Sequence, residues 1–153
     1  HQRSIGSKST LKDLEKWVNT LIETNDWGVG MTHGLTYGYD AFRNPQRLWD
    51  HLDQVKAREN EIWVGTFREV VSYIKEREET KLEVVNKKNT LLITPELKLD
   101  QELFVEPLTM VITGKEIKKV TVKQGKRQIT DDKVLFDFDP YGGMIKVTLK
   151  IQK

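Results

Sequence analysis

The chain has 153 residues, 37% hydrophobic and 31% charged, which suits one ordinary domain or two small ones and permits a conventional core. A formal net charge of +2 gives no electrostatic case for nucleic-acid binding, and apolar runs as short as Leu91-Leu92-Ile93 cannot span a bilayer. Cysteine is absent, which excludes a disulfide framework, thiolate metal sites and a cysteine nucleophile.

Charge and hydrophobic period both change near Thr80. Residues 1–80 carry 11 basic and 13 acidic side chains and all four tryptophans; residues 81–153 carry 14 basic and 10 acidic. The expected organisation is therefore an α/β part over 1–80 and an all-β part over 81–153.

In the first part, Leu11, Leu14, Val18, Leu21 and Ile22 recur at helical spacing. Thr10 stands three residues before Asp13, the arrangement of a capping box, so a helix is expected from Leu11 to Thr24, stopped by Asn25-Asp26. Trp27 to His33 reads as a short buried strand in which Gly28 and Gly30 allow another element to approach closely. A loop over 34–44 leads to Asn44-Pro45, a helix start with proline in the first turn, and Leu48, Trp49, Leu52 and Val55 form the predicted apolar face. Ile62 to Gly65 reads as a second strand. Thr66 and Glu69 make another capping box, opening a helix with Phe67, Val70, Val71 and Ile74 inward and the Lys75–Glu79 charge run solvated.

The order α-β-α-β-α implies parallel strands joined through helices. The chain begins at His1, not Met, and without a signal peptide, as a processed product or a fragment would. Two strands are too few for a stable sheet of that kind. The first part thus reads as the end of a larger α/β domain. Its open strand edges should pair with something, for instance a second copy.

The second part reads as strands at 81–85, 90–94, 108–113, 119–123, 133–138 and 144–151. Turn signals at Gly114-Lys115, Gln124-Gly125, Asp131-Asp132 and 139–143 separate them. Ile145, Val147, Leu149 and Ile151 alternate with polar residues, as one dry and one wet face require. Phe136 and Phe138 share strand parity and read as core. A small antiparallel β-sandwich of immunoglobulin-like type is the expected architecture.

Chemistry has few carriers. The three histidines, His1, His33 and His51, form no H-x-x-x-H pair and no cluster with carboxylates, so no metal site is expected within the chain. There is no nucleophile elbow, phosphate loop or nucleotide fingerprint. His33 lies where a strand gives way to a loop, the end at which α/β folds gather substrate-facing groups. A histidine there can donate a proton to a leaving group, or simply hydrogen-bond the adjoining turn. Tyr37, Tyr39, Asp40 and Phe42 come next along the chain. Their aromatics can stack on sugar rings and Asp40 can accept hydroxyl hydrogen bonds, or the loop packs them onto its own domain. Arg3, Ser4 and Ser7 either reach the same rim or belong to a frayed end. His51, beside the apolar face of its helix, reads as a surface or packing residue.

Met31-Thr32-His33-Gly34 closing a hydrophobic strand resembles the last motif of the polysaccharide deacetylases, the chitin and peptidoglycan deacetylase group of carbohydrate esterases, with Met31 in the place of a leucine. His51-Leu-Asp-Gln-Val fits the helix after that strand. Ile62-Trp-Val-Gly-Thr-Phe-Arg-Glu-Val-Val-Ser-Tyr-Ile74 resembles the terminal strand and helix, and the likeness covers about residues 3–79. The resemblance implies the C-terminal fragment of a distorted (β/α) barrel, a divalent metal, commonly zinc, and a secreted, periplasmic or cell-surface enzyme acting on a polysaccharide. It makes His33 the general acid and Met31 a pocket wall. The family's metal ligands and catalytic aspartate belong to earlier motifs, so the chain alone should lack metal and activity and should need the missing N-terminal part of its barrel. The alternative is a non-catalytic carbohydrate-binding or adhesion β-sandwich on a degenerate α/β scaffold.

Overall fold

The computed structural model describes residues 2–113, 117–121, 127–129 and 133–149. Three of the expected turns (Gly114-Lys115, Gln124-Gly125, Asp131-Asp132), the strand ends at 122–123 and 150–151, and His1 lie outside the described residues. The chain divides into two compact units, one up to Val64 and one from Gly65 onward.

The first unit runs β1 (Gln2–Ser4), α1 (Leu11–Thr24), β2 (Val29–Met31) and α2 (Gln46–Lys56). The α1 limits are those expected. Thr10 Oγ1 accepts the Asp13 N–H, and the Asp13 carboxylate accepts the Thr10 N–H. At the other end Asn25, at φ 57°, turns the chain left-handed and donates its N–H to Ile22 and Leu21 carbonyls. Leu14 and Val18 form the buried stripe of α1.

β1 and β2 are parallel, with Gln2 opposite Val29, Arg3 opposite Gly30 and Ser4 opposite Met31. The glycines flanking Val29 admit α1: a Cβ on Gly28 would run into Leu21 and lie 3.0 Å from Trp17 Cζ2, and one on Gly30 would sit 3.3 Å from Ile5 Cδ1. Ile5, Leu14 and Phe42 make a small core against which Leu48 packs.

Three expectations need correction here. Ile62 to Gly65 is not a strand; Trp63 and Val64 are 52% and 70% exposed, and no strand among the described residues takes up the backbone. The parallel partner of β2 is instead β1, whose Gln-Arg-Ser carries no apolar signal. In α2 the buried residue is His51, while Trp49 and Leu52 of the predicted apolar face are nearly half exposed. Periodicity identifies a face, but the neighbour available to cover it decides which face is buried.

Among its described residues the second unit holds α3 (Phe67–Glu79) and seven strands: β3 (Lys81–Lys87), β4 (Thr90–Glu96), β5 (Leu108–Thr113), β6 (Ile117–Thr121), β7 (Arg127–Ile129), β8 (Lys133–Phe138) and β9 (Ile145–Leu149). They form an antiparallel sheet ordered β3-β4-β9-β6 and another ordered β5-β8-β7. β7 was not among the expected strands. One hydrophobic cluster draws on both sheets: Leu91, Ile93, Ile145, Val147 and Leu149 from the first, Leu108, Met110, Val134, Phe136 and Phe138 from the second. The expected alternation in β9 and the core placement of Phe136 and Phe138 both hold.

α3 opens on its capping box, Thr66 with Glu69, as expected. The charge run does not behave as a solvated end, because Glu76 is fully buried together with Ser72, and Tyr73 packs on the hydrophobic cluster. Phe67 and Val71, expected inward, are 64% and 40% exposed. α3 therefore belongs with the strands C-terminal to it, and the compact units meet at Val64-Gly65 rather than at Thr80. The described residues form a mixed α/β chain of three helices and several small sheets, with no barrel among them.

Candidate functional site

Parallel pairing puts the carboxyl ends of β1 and β2 side by side. The segments that leave them, residues 5–9 and 32–44, are fastened to each other. Ile5 donates its N–H to the Met31 carbonyl at 2.8 Å. Ser7 donates both its hydroxyl (2.6 Å) and its N–H (3.1 Å) to Asp40 Oδ1. Arg47 of α2 donates from Nη1 to the Ser7 and Ser9 carbonyls. The approach is close at Gly6, where a Cβ would run into the Asp40 carbonyl.

Asp40 itself sits at φ 48° and its carboxyl is held below the ordinary carboxylate range, first by the Ser7 hydroxyl and also by nearby His33 and Lys8. With Oδ1 occupied twice by Ser7, Asp40 acts as a clasp between the two loops. Sequence reasoning had it as a sugar-hydroxyl acceptor.

Met31 ends β2 and is 38% exposed. His33 lies just beyond it on the loop, exposed, with its ring edge-on to Tyr39 at 5.4 Å between centroids. Tyr37 and Tyr39 are 86% and 83% exposed, so the loop does not fold its tyrosines inward. The loop's anchor is instead the fully buried pair Ala41-Phe42, with the Phe42 N–H donating to the Gly34 carbonyl at 3.2 Å. The structure thus brings His33, Tyr37 and Tyr39 onto one exposed loop and sets Asp40 at its base.

A hollow of about 380 Å³ opens beside this rim, lined by Ser7, Lys8, Thr10, Leu11, Asn44, Arg47 and Asp50. His33 does not line it. Among the described residues no group of three or more histidine, aspartate or glutamate side chains is arranged to hold a metal ion. The described residues of this chain therefore supply no ligand set of their own for a divalent metal. No helix among the described residues is long and apolar enough to cross a membrane.

His51 has no place at this rim. Its buried Nδ1 has no hydrogen-bond partner among the described residues, and burial lowers its tendency to protonate. Sequence reasoning missed Glu76, whose buried carboxylate belongs to the second unit. Its position inside a run of charged residues concealed it.

No family model matches the chain, no curated protein matches it, and no solved structure matches it.

Proposed function

We propose that the chain is the C-terminal part of a metal-dependent polysaccharide deacetylase, in which His33 is the general acid that protonates the departing amine or alkoxide. The observation that carries this reading is the exposed imidazole just beyond the carboxyl end of a parallel strand, flanked by two exposed tyrosines. An imidazole in that setting can deliver a proton to a sugar bound across the loop. Tyr37 and Tyr39 supply ring faces for a pyranose, and Met31 a wall at the strand end. The Ser7–Asp40 clasp holds the loop in place. β1-α1-β2 is then a remnant of a distorted (β/α) barrel whose other strands, divalent metal and catalytic base come from outside this chain. The two sheets of the second unit are a small immunoglobulin-like sandwich, which the shared hydrophobic cluster supports. A polymeric substrate fits a secreted, periplasmic or cell-surface setting.

The test is acetate release from acetylated chitin and peptidoglycan fragments by the longer protein and by its His33→Ala variant. Loss of a general acid should cost roughly 10²- to 10⁴-fold in turnover. An unaffected variant refutes the assignment.

A second reading is favoured by the exposure of the tyrosines: glycan binding without chemistry. It predicts that the chain binds chitin oligosaccharides in a way that Tyr39→Ala weakens, while the longer protein releases no acetate.

A further inference from the structure

Among the described residues β3 is the terminal strand of its sheet, bonded to β4 on one side only. It runs seven residues, Lys81 to Lys87, and every one of them is exposed. Register places Leu82, Val84 and Asn86 opposite Pro95, Ile93 and Leu91 of β4, the residues that β4 buries. Leu82 and Val84 thus lie on the core-facing side of the sheet, yet they are 47% and 54% exposed, so the layer that covers β4 stops short of β3. Natural edge strands are usually short, bulged, proline-bearing, covered or guarded by charged side chains, and of these devices β3 has the charges alone: Lys81, Glu83 and Lys87. β3 pairs with β4 without interruption over its whole length and contains no proline.

We propose that β3 pairs antiparallel with β3 of a second copy of this chain, across a two-fold axis centred on Val85. A two-fold perpendicular to the sheet sets each residue against one of the same face, so the choice of centre is restricted. Centring on Glu83 opposes two glutamates, and centring on Val84 opposes Lys81 to Lys87; both place like charges directly across the junction. Centring on Leu82 sets Lys81 against Glu83 but leaves most of β3 unpaired, and Lys81 already faces Glu96 on β4. Centring on Val85 sets Glu83 against Lys87 twice, Val85 against Val85, and Val84 against Asn86 with the two Val84 side chains diagonal. On β4 the residues opposite Glu83 and Lys87 are Thr94 and Thr90, so these two charges lack an opposing charge within their own sheet pairing. The junction also continues the uncovered apolar strip of Leu82 and Val84 from one copy into the next.

Sedimentation velocity and light scattering on the full chain across a concentration series test this. The wild type should dimerise reversibly. Glu83→Lys and Lys87→Glu singly should each weaken the dimer by at least about tenfold, since each turns two opposite-charge pairs into like-charge pairs. The double variant, Glu83→Lys with Lys87→Glu, should restore it. Circular dichroism would establish that each variant is folded. A wild type that stays monomeric, single variants that dimerise as the wild type does, or a folded double variant without recovery would each overturn the proposal.

Discussion

Glu76 is the residue whose burial departs furthest from its chemistry. Among the described residues the buried polar side chains are His51, Ser72 and Glu76. One Glu76 oxygen accepts the Glu106 N–H at 3.1 Å, and Oε2 has no hydrogen-bond partner among the described residues. Burial pushes its carboxyl above the ordinary value of 4.5. The Glu106 N–H works against that shift, while the Glu106 and Asp139 carboxylates add to it. Tyr141 shares this neighbourhood, and its own rise owes something to Glu76 after burial. The unfolded chain releases the Glu76 proton near 4.5, and the folded chain holds it to a higher pH. The contribution to stability is therefore complete below 4.5 and lost as pH rises through the raised folded value. Glu76→Gln keeps an acceptor for the Glu106 N–H and cannot ionise. At pH 7 it should be more stable than wild type by about 1 kcal/mol, a few degrees in melting temperature. Below pH 4.5 the advantage should vanish. Thermal melts of both proteins from about pH 4 to 8 decide this, and parallel curves would mean that the carboxyl is not ionising in place.

Elements form where local chemistry and a partner agree. α1 was readable to the residue because a capping box opens it, an asparagine at positive φ closes it, and one stripe of leucine and valine is buried. Most of the antiparallel strands after Thr80 were readable because apolar-polar alternation is a local signal, whereas the three-residue β7 was not. β1 was not, since three polar residues become a strand only by lying beside β2. Ile62 to Gly65 fails for the converse reason: it is apolar, and no strand among the described residues lies beside it. The faces of α2 and α3 were misread because Trp49, Phe67 and Val71 carry the stronger hydrophobic signal, while the packing buries His51, Ser72 and Glu76. At the candidate site the sequence indicated His33 and its tyrosines, but the clasp of Asp40 by Ser7 spans distant positions that no local pattern connects. The Gly28 reading depended on contact alone, and it gives a direct test. A methyl group at Gly28 meets Leu21 Cδ1 and then the Trp17 ring, so either the Leu21 side chain or α1 must shift. Gly28→Ala should destabilise the first unit by about 1–3 kcal/mol, the usual cost of overpacking, seen as a lower denaturant midpoint. An unchanged midpoint would mean that the Leu21 side chain yields freely.

For the whole molecule, the position of the boundary carries consequences that composition alone conceals. Charge changes sign near Thr80, yet α3, N-terminal to that point, is fixed to the segments C-terminal to it. Tyr73 packs on the hydrophobic cluster, Glu76 takes the Glu106 N–H, and Lys75 lies over the Phe104 ring at 5.2 Å. A segment cut at the change of charge, 81–153, would leave the Glu106 N–H without its acceptor and remove Tyr73 from the cluster. A segment starting at Gly65 keeps all three contacts and the Thr66–Glu69 capping box. Residues 65–153 should therefore melt cooperatively, and residues 81–153 should be less stable by several kcal/mol, since they lose a buried aromatic contact and leave a backbone donor unsatisfied. Thermal and urea unfolding of the two segments, each followed by circular dichroism, measures the difference. Equal stability would mean that the strands hold themselves together and α3 only rests on them, moving the functional boundary back to Thr80.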